Sequence, residues 1–417
     1  MNQPSILKLV SHSDNNGKSI DLKHILTKVL DNSFEIIIKY WVRALHIKFG
    51  WIREFDKIII NYVSLFCDLF ILDVFYSSAK LINTFIGHTD YISDIDYSNF
   101  DNDQFICSGS YDQTVRVWDV DNNKQIQSFN RHQNYVNCVK VSSYHYHNYR
   151  KNVICSSSLD KTIRFWDFKH NKQLQIFDQP IGVNKIEFSP FNGGRYLCSG
   201  SYDNNIRLYD IETYKLLYVF SGHNNVVYSV AISPLQSNDD NDNKMNIIGV
   251  IGGNGYTICS GSYDKTIRIW DIEDTKSFNV FKGHQGWIMS VKYGSNELRN
   301  TILSGSSDKS VRLWDIRSCK QIQIFNGHLG GVMYVEYSPF VIKNKNYNSN
   351  VICSGSSDKI CFWDIRSNKN KLYEIIGDIE EDGETCCFKC IRWKKKNAAY
   401  DMNLCYGLHK GQIRVLG

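Results

Sequence analysis

From residue 81 onward the apolar positions come in short alternating runs. The run Ile258 to Ile272 reads Ile-Cys-Ser-Gly-Ser-Tyr-Asp-Lys-Thr-Ile-Arg-Ile-Trp-Asp-Ile, and approximate copies begin at Phe105, Val153, Tyr196, Thr301 and Val351. Each copy places two stretches rich in β-branched and aromatic residues on either side of a Gly-Ser-Tyr-Asp-Lys type turn, which predicts a β-hairpin. A further alternating run precedes each hairpin, such as Trp287 to Val291, and another follows it, such as Gln321 to Phe325. Four strands per unit are expected.

The Asp after the Ser-Gly-Ser falls at Asp112, Asp160, Asp203, Asp264, Asp308 and Asp358, in steps of 48, 43, 61, 44 and 50 residues. A unit of that size cannot bury its own apolar faces, so each must pack against its neighbours.

Upstream of four hairpins stands a Gly-His pair: Gly87-His88, Gly222-His223, Gly283-His284 and Gly327-His328. Gly-His, then Ser-x-Asp, then Trp-Asp at this period resembles the WD repeat of β-propellers, over about Leu81 to Ile365. The resemblance implies a structural set of His, Ser, Asp and Trp in each blade, hydrogen-bonded in a buried chain. It falls on His88, Ser108, Asp112 and Trp118; on His132, Ser156, Asp160 and Trp166; on His223, Ser260, Asp264 and Trp270; on His284, Ser304, Asp308 and Trp314; and on His328, Ser354, Asp358 and Trp363. Either Ser of each Ser-Gly-Ser could be the partner. Ser, His and Asp also compose a hydrolase triad, but a chain has no use for a nucleophile in five equivalent buried turns, so catalysis is not expected.

Three more runs follow the sixth Trp-Asp: Thr385 to Trp393, Asn403 to Leu408 and Gln412 to Leu416. Leu81 to Ile86 can supply the missing fourth strand, which would remove both open edges of the ring. The expected fold is therefore all-β: a seven-bladed WD-repeat β-propeller over residues 79–417, closed by strand exchange, with a small α-helical segment over 1–78.

Composition narrows the chemistry. The formal charge of +5 is spread along the chain, with Lys394-Lys395-Lys396 the one basic cluster, so nucleic-acid binding is not expected. Of the thirteen Cys, five (Cys107, Cys155, Cys198, Cys259 and Cys353) share one repeat position, as small core residues of a reducing compartment would. Cys386, Cys387 and Cys390 lack a second ligand pair for zinc, and no cofactor is expected.

The first 78 residues change period. Leu22, Ile25, Leu26, Val29 and Leu30 fall at helical spacing, Phe34 to Phe49 makes a second candidate helix ending at Gly50, and Glu54 to about Tyr76 a third. Asn61, Asp68 and Asp73 interrupt the third, Ile58 to Tyr76 included, and each Asp near mid-bilayer would cost about 2.5–3.5 kcal/mol, so a membrane span is not expected. The start has no basic region ahead of an apolar core, which favours the cytoplasm or nucleus over secretion.

Individual units depart from the pattern. The second has Arg131-His132 for Gly-His; the third has Asp178-Gln179-Pro180 there and Tyr209 for Trp, so its network cannot form as in the others. Tyr144 to Tyr149, with its His-x-His, reads as a solvated aromatic loop, and the insertion Gln236 to Gly255 as a flexible one.

In propellers of this family partners bind the face carrying the Gly-His loops and Ser-x-Asp turns. The matching positions are Tyr111, Leu159, Tyr202, Tyr263, Ser307 and Ser357 from the turns, and Tyr91, Tyr135, Val226, Tyr228, Trp287, Met289 and Met333 from the first strands. Large aromatics at so many exposed sites favour a binding face for a protein or peptide over mere padding between blades. The expected function is a non-catalytic protein-interaction scaffold. Two alternatives rest on resemblance. Trp314 to Arg317 and Trp363 to Arg366 resemble the Trp-Asp-x-Arg signature of cullin-type ubiquitin ligase receptors, with Arg317 and Arg366 as adaptor contacts. A G-protein-β-like subunit is disfavoured, because Gly50 breaks any long N-terminal helix.

Overall fold

The computed structural model describes residues 70–71, 75–76, 79–100, 103–233, 257–272, 274–294, 298, 300–341, 351–366, 371–376, 384–394 and 400–417. The candidate helices of the first 78 residues and the insertion Gln236 to Gly255 lie outside them, residues 70–71 and 75–76 excepted. The chain divides into two compact units, residues 71–393 with 402–417, and residues 1–70 with 394–401. Among the described residues no helix is long and apolar enough to cross a membrane.

The larger unit is a ring of seven four-stranded antiparallel sheets. In blade 4 the strands run Val227–Ile232, Thr257–Ser262, Thr266–Asp271 and Ser277–Lys282, from the bore outward. The alternation explains their burial: in Thr257–Ser262 both sides of the strand are covered by neighbouring blades, and Ile258, Cys259 and Ser260 are fully enclosed. Cys107, Cys155, Cys198, Cys259 and Cys353 are all buried as free thiols.

Blade 7 closes the ring. Its order is Leu81–Ile86, Gln412–Leu416, Tyr400–Leu408 and Thr385–Lys394, so its outermost strand comes from the start of the propeller and the other three from the end. Phe85 pairs with Ile413 and is buried against the blade 1 core near Trp118, with ring centroids 5.6 Å apart.

The innermost strands of blades 1 to 6 each carry a bulge after the first residue, as between Ile92 and Asp94 or Ile288 and Ser290. The next two residues of a strand then both line the upper bore, as Tyr228 with Ser229, Met289 with Ser290 and Met333 with Tyr334 do. Lower down, the fifth residues of these strands are Asp96, Lys140, Glu187, Ala231, Lys292, Glu336 and Lys389 in blade order. Signs alternate around the bore. Glu187 bridges Lys140 and Lys292 at 3.3 Å each, and Lys389 reaches Glu336 at 3.2 Å and Asp96 at 3.9 Å. Burial pushes the Lys292 amine below its usual range despite Glu187, and Lys140 and Lys389 add to the effect. Glu187→Gln is expected to cost about 1–3 kcal/mol in urea unfolding, since it leaves the buried Lys140 and the half-buried Lys292 ammonium groups without their shared partner. Adding Lys292→Met should recover part of that loss.

One expectation is corrected here. Tyr144 to Tyr149 is not a solvated loop: Ser143–Tyr149 forms a short α-helix in which Tyr144, His145 and Tyr146 are buried. Tyr146 stacks on Phe100 with centroids 3.9 Å apart, and His145 Nδ1 lies 2.7 Å from Ser142 Oγ. Burial, reinforced by Lys151, lowers the His145 pKa to about 4. Packed against Tyr144 and Phe165, the ring is not a solvated one. Among the described residues no three His, Cys, Asp or Glu side chains are grouped to hold a metal.

Candidate functional site

Four blades share the same buried chain of hydrogen bonds. In blade 1 the Trp118 indole N–H donates to Ser108 Oγ at 2.9 Å, Ser108 Oγ lies 2.7 Å from His88 Nε2, and His88 Nδ1 lies 2.8 Å from Asp112 Oδ2. Blade 2 joins Trp166, Ser156, His132 and Asp160, blade 4 joins Trp270, Ser260, His223 and Asp264, and blade 5 joins Trp314, Ser304, His284 and Asp308, all at 2.7 to 2.8 Å. The partner is thus the first Ser of Ser-Gly-Ser. The second bonds within the turn instead, as Ser110 does to Asp90 O and from Asp112 N. Every polar atom is used when the imidazole is neutral with its proton on Nδ1: Nδ1–H donates to Asp, and Nε2 accepts from the Ser hydroxyl. The Gly before the His belongs to the same construction, because a Cβ on Gly87 would come within 2.8 Å of Trp118 Cη2.

A second chain, unforeseen from the sequence, runs outward from the same Asp. Thr114 Oγ1 donates to Asp112 Oδ1 at 2.7 Å, Arg116 Nε donates to Thr114 Oγ1 at 3.3 Å, and Arg116 Nη1 to Gln125 Oε1 at 2.6 Å. Blade 2 repeats it with Thr162, Arg164 and Gln173, and blade 5 with Ser310, Arg312 and Gln321. The signal was present in the repeated Thr or Ser and Arg two and four residues after Asp112, Asp160, Asp264 and Asp308.

Blade 6 lacks one residue between Asp358 and Trp363, and with it both the hydroxyl and the Arg. His328 and Trp363 still hold Ser354, at 2.7 and 2.8 Å, but His328 Nδ1 to Asp358 Oδ1 opens to 3.6 Å. Blade 3 builds a substitute. Tyr209 O–H donates to Gln179 Oε1 at 2.7 Å, so Gln179 stands in for His and Tyr209 for Trp, while Asp203 is taken by Arg207.

The titration of these groups follows from the geometry. Burial lowers the pKa of His88, His132, His223, His284 and His328 below 6.5, against the pull of the paired Asp. Burial also opposes the Asp charges, but hydrogen bonds from His and from Thr or Ser outweigh it and hold Asp112, Asp160, Asp264 and Asp308 well below the usual carboxylate range. For a His depressed on folding, the unfolded chain binds the extra proton. Its contribution is therefore complete above about pH 6.5 and is lost as pH falls towards the folded value; the carboxylates add their own loss below about pH 4. The urea midpoint is expected to fall steadily from about pH 7.5 to about pH 5.

The Gly-His loops and hairpin turns converge on one face of the ring, and the predicted face residues meet there. Tyr91, Tyr111 and Tyr135 stack in sequence, with centroids 4.7 and 4.4 Å apart, and Tyr228, Tyr263 and Trp287 stack at 5.5 and 4.5 Å. Trp287 is 48% exposed and Tyr135 41%. Tyr91, Tyr111, Tyr202, Tyr228, Tyr263, Leu159, Val226, Met333, Ser307 and Ser357 are only partly exposed, and Met289 is buried at 8%. The expectation of broadly exposed aromatics is corrected accordingly: most of these rings cover one another across blades. Burial pushes Tyr111 and Tyr263 up to about 12. Together with Tyr91, Tyr228, Met289 and Met333, Tyr111 lines a well that includes, with the solvent at its mouth, about 500 Å³ of empty space.

Arg317 and Arg366 follow the third strands of blades 5 and 6, on the opposite face. Both are exposed, and Arg366 Nε also lies 3.3 Å from the buried Asp364 carboxylate.

Such a ring, built from repeated four-stranded blades that each fasten the loop before the next hairpin, defines a repeat β-propeller. The chain belongs to the WD40 family: the model for the WD domain, G-beta repeat, matches residues 79–119, 123–167, 172–210, 214–271 and 275–315, more than half its length. Blade 6 and the three C-terminal strands of blade 7, which lack parts of the pattern, lie beyond those matches. Among curated proteins the chain is similar to nuclear distribution protein PAC1-2 of Postia placenta, with 30% identity over 74 residues, 18% of this chain and 17% of that protein. It is also similar to cell division control protein 4 of Saccharomyces cerevisiae, with 26% identity over 194 residues, 46% of this chain and 19% of that protein. The chain thus spans less than a fifth of the length of either relative.

Proposed function

We propose that the protein is a non-catalytic interaction scaffold whose aromatic face docks a peptide or protein segment. The observation that supports it is the pair of stacked runs, Tyr91 to Tyr135 and Tyr228 to Trp287, which flank the mouth of the central well and leave Trp287 and Tyr135 open to solvent. Rigid aromatic rings offer contact area at small entropic cost. The same Ser, His and Asp groups that would compose a triad are consumed by the fold, with every His nitrogen already engaged in four of the blades.

The test is selection of a phage-displayed library of linear peptides on the immobilised full chain. Selected peptides should lose binding to a Tyr135→Ala, Trp287→Ala variant whose thermal midpoint is unchanged. Selections that yield no binder, or binders indifferent to both rings, would remove this reading. The ligase-receptor reading keeps both Arg317 and Arg366, each exposed, with Arg366 Nε held 3.3 Å from Asp364.

A further inference from the structure

Among the polar groups of the central well, Ser93, Asn137 and Asn184 give protons to wall carbonyls, whereas Tyr334, Lys185, Ser229 and Ser290 are placed to offer theirs to a ligand. Tyr334 is 5% exposed and lines the well, yet its hydroxyl has no hydrogen-bond partner. Beside it, Lys185 Nζ lies 5.1 Å from the Tyr334 ring centroid and 3.0 Å from Asp94 Oδ1. The other Asp94 oxygen is occupied within the wall, by Cys138 Sγ at 2.8 Å and by the Val139 N–H at 3.2 Å. Ser229 and Ser290 each accept a backbone N–H from the next blade, at 3.1 and 3.2 Å, which leaves their own hydroxyl protons to give. An enclosed hydroxyl with no partner costs about 1–3 kcal/mol, and a floor that offers several such protons is complementary to an acceptor.

The rim agrees in sign over part of its circumference. Arg131, Lys161, Lys265, Lys282 and Lys309 are exposed on blades 2 to 5 and form no ion pair among the described residues, while the exposed carboxylates of the described loops on this face are Asp90, Asp178 and Glu384. Residues 378–382, which include further acids, lie outside the described residues. Between rim and floor the wall is Tyr91, Tyr111, Tyr228, Met289 and Met333, suited to a short apolar stem.

We propose that this well takes a carboxylate, borne on a side chain or at the terminus of the docked segment, with Tyr334 and Lys185 as its donors at the floor. The inference rests on the docking reading above and names the chemistry that reading leaves open. Below the floor the bore already holds carboxylates of its own, Asp96, Glu187 and Glu336, paired with Lys140, Lys292 and Lys389, so the incoming carboxylate stops at the level of Tyr334.

Three labelled peptide pools test it on the full chain by fluorescence anisotropy: degenerate nonamers with a central Glu and blocked ends, the same pool with central Gln, and a pool lacking acids but ending in a free carboxylate. Binding of the Glu pool about tenfold tighter than the Gln pool supports a side-chain carboxylate, and preference for the free terminus supports the other source. In either case Tyr334→Phe should cut that preference severalfold without lowering the thermal midpoint, since the hydroxyl it removes has no partner in the fold. Lys185→Met gives a second readout, interpreted only if its midpoint survives the loss of the Asp94 pair. Equal binding of all pools, lost in the Tyr135→Ala, Trp287→Ala variant and kept in Tyr334→Phe, would overturn the carboxylate and leave the docking face standing. Absence of binding by every pool would overturn both.

Discussion

Ser260→Ala destabilises the propeller by about 2–5 kcal/mol, because one missing oxygen strands two buried groups: the Trp270 indole N–H and His223 Nε2, at 2.8 and 2.7 Å from it. Two residues on, Ser262→Ala removes a hydroxyl that serves only the turn, donating to Asn225 O at 2.9 Å and accepting from Asp264 N at 3.0 Å. That change is expected to cost about 1 kcal/mol. Urea unfolding of the two variants, followed by tryptophan emission, measures the difference. Equal losses would mean that the His, Ser and Trp chain contributes no more than an ordinary turn. In blade 3 Tyr209→Phe should cost about 1–3 kcal/mol, less than Ser260→Ala, since it strands one buried acceptor, Gln179 Oε1, and not two groups.

Removal of residues 1–86 opens the ring. It takes away the strand Leu81–Ile86, exposes the full edge of Gln412–Leu416, and uncovers the space that Phe85 fills beside Trp118. Phe85→Ala alone is expected to cost about 3–5 kcal/mol, and the truncation more, with pairing of bare edges between molecules. Light scattering after gel filtration should show the truncated chain as oligomers or aggregate and the Phe85→Ala variant as unchanged in size. A truncated chain that stays at its original size, with an unchanged midpoint, would show that strand exchange is dispensable.

The parts of this architecture legible in the sequence are those stated several times. Asp112, Asp160, Asp264 and Asp308 announce themselves because each stands at the same distance from a Ser and a Trp, so repetition filters out chance. The Gln179 and Tyr209 substitute occurs once, in a blade that has lost both ends of the pattern, and no internal comparison could reveal a bond between residues thirty positions apart. Helix Ser143–Tyr149 was hidden for a related reason. Seven residues give too few turns for a periodic stripe, and its aromatic and imidazole side chains are stabilised by blade 3 and by Phe100, not by local propensity.

The charges in the bore lie between these cases. Asp96, Lys140, Glu187, Lys292, Glu336 and Lys389 occupy equivalent places, so their alternation can be read once the innermost strands are superposed. What the sequence alone lacks is the bulge that fixes which residues turn inward. The candidate binding face shows the converse limit. Its aromatic positions lie at one mouth, but their mutual stacking reduces the open area to chiefly Tyr135 and Trp287, a fact that only cross-blade distances reveal.

The shared seventh blade also has a meaning in time. Leu81–Ile86 leaves the ribosome more than three hundred residues before Gln412–Leu416, the strand it must pair with. Blades 1 to 6 can form in order as they emerge, each on the one before, yet the earliest strand has to wait unpaired until synthesis has passed residue 416. Closure is therefore a late event, with a large loop already spanned by folded neighbours. During translation the nascent chain carries an uncapped sheet at each end, and this interval, rather than the finished ring, is when it is most open to chaperones and to mispairing with other nascent chains.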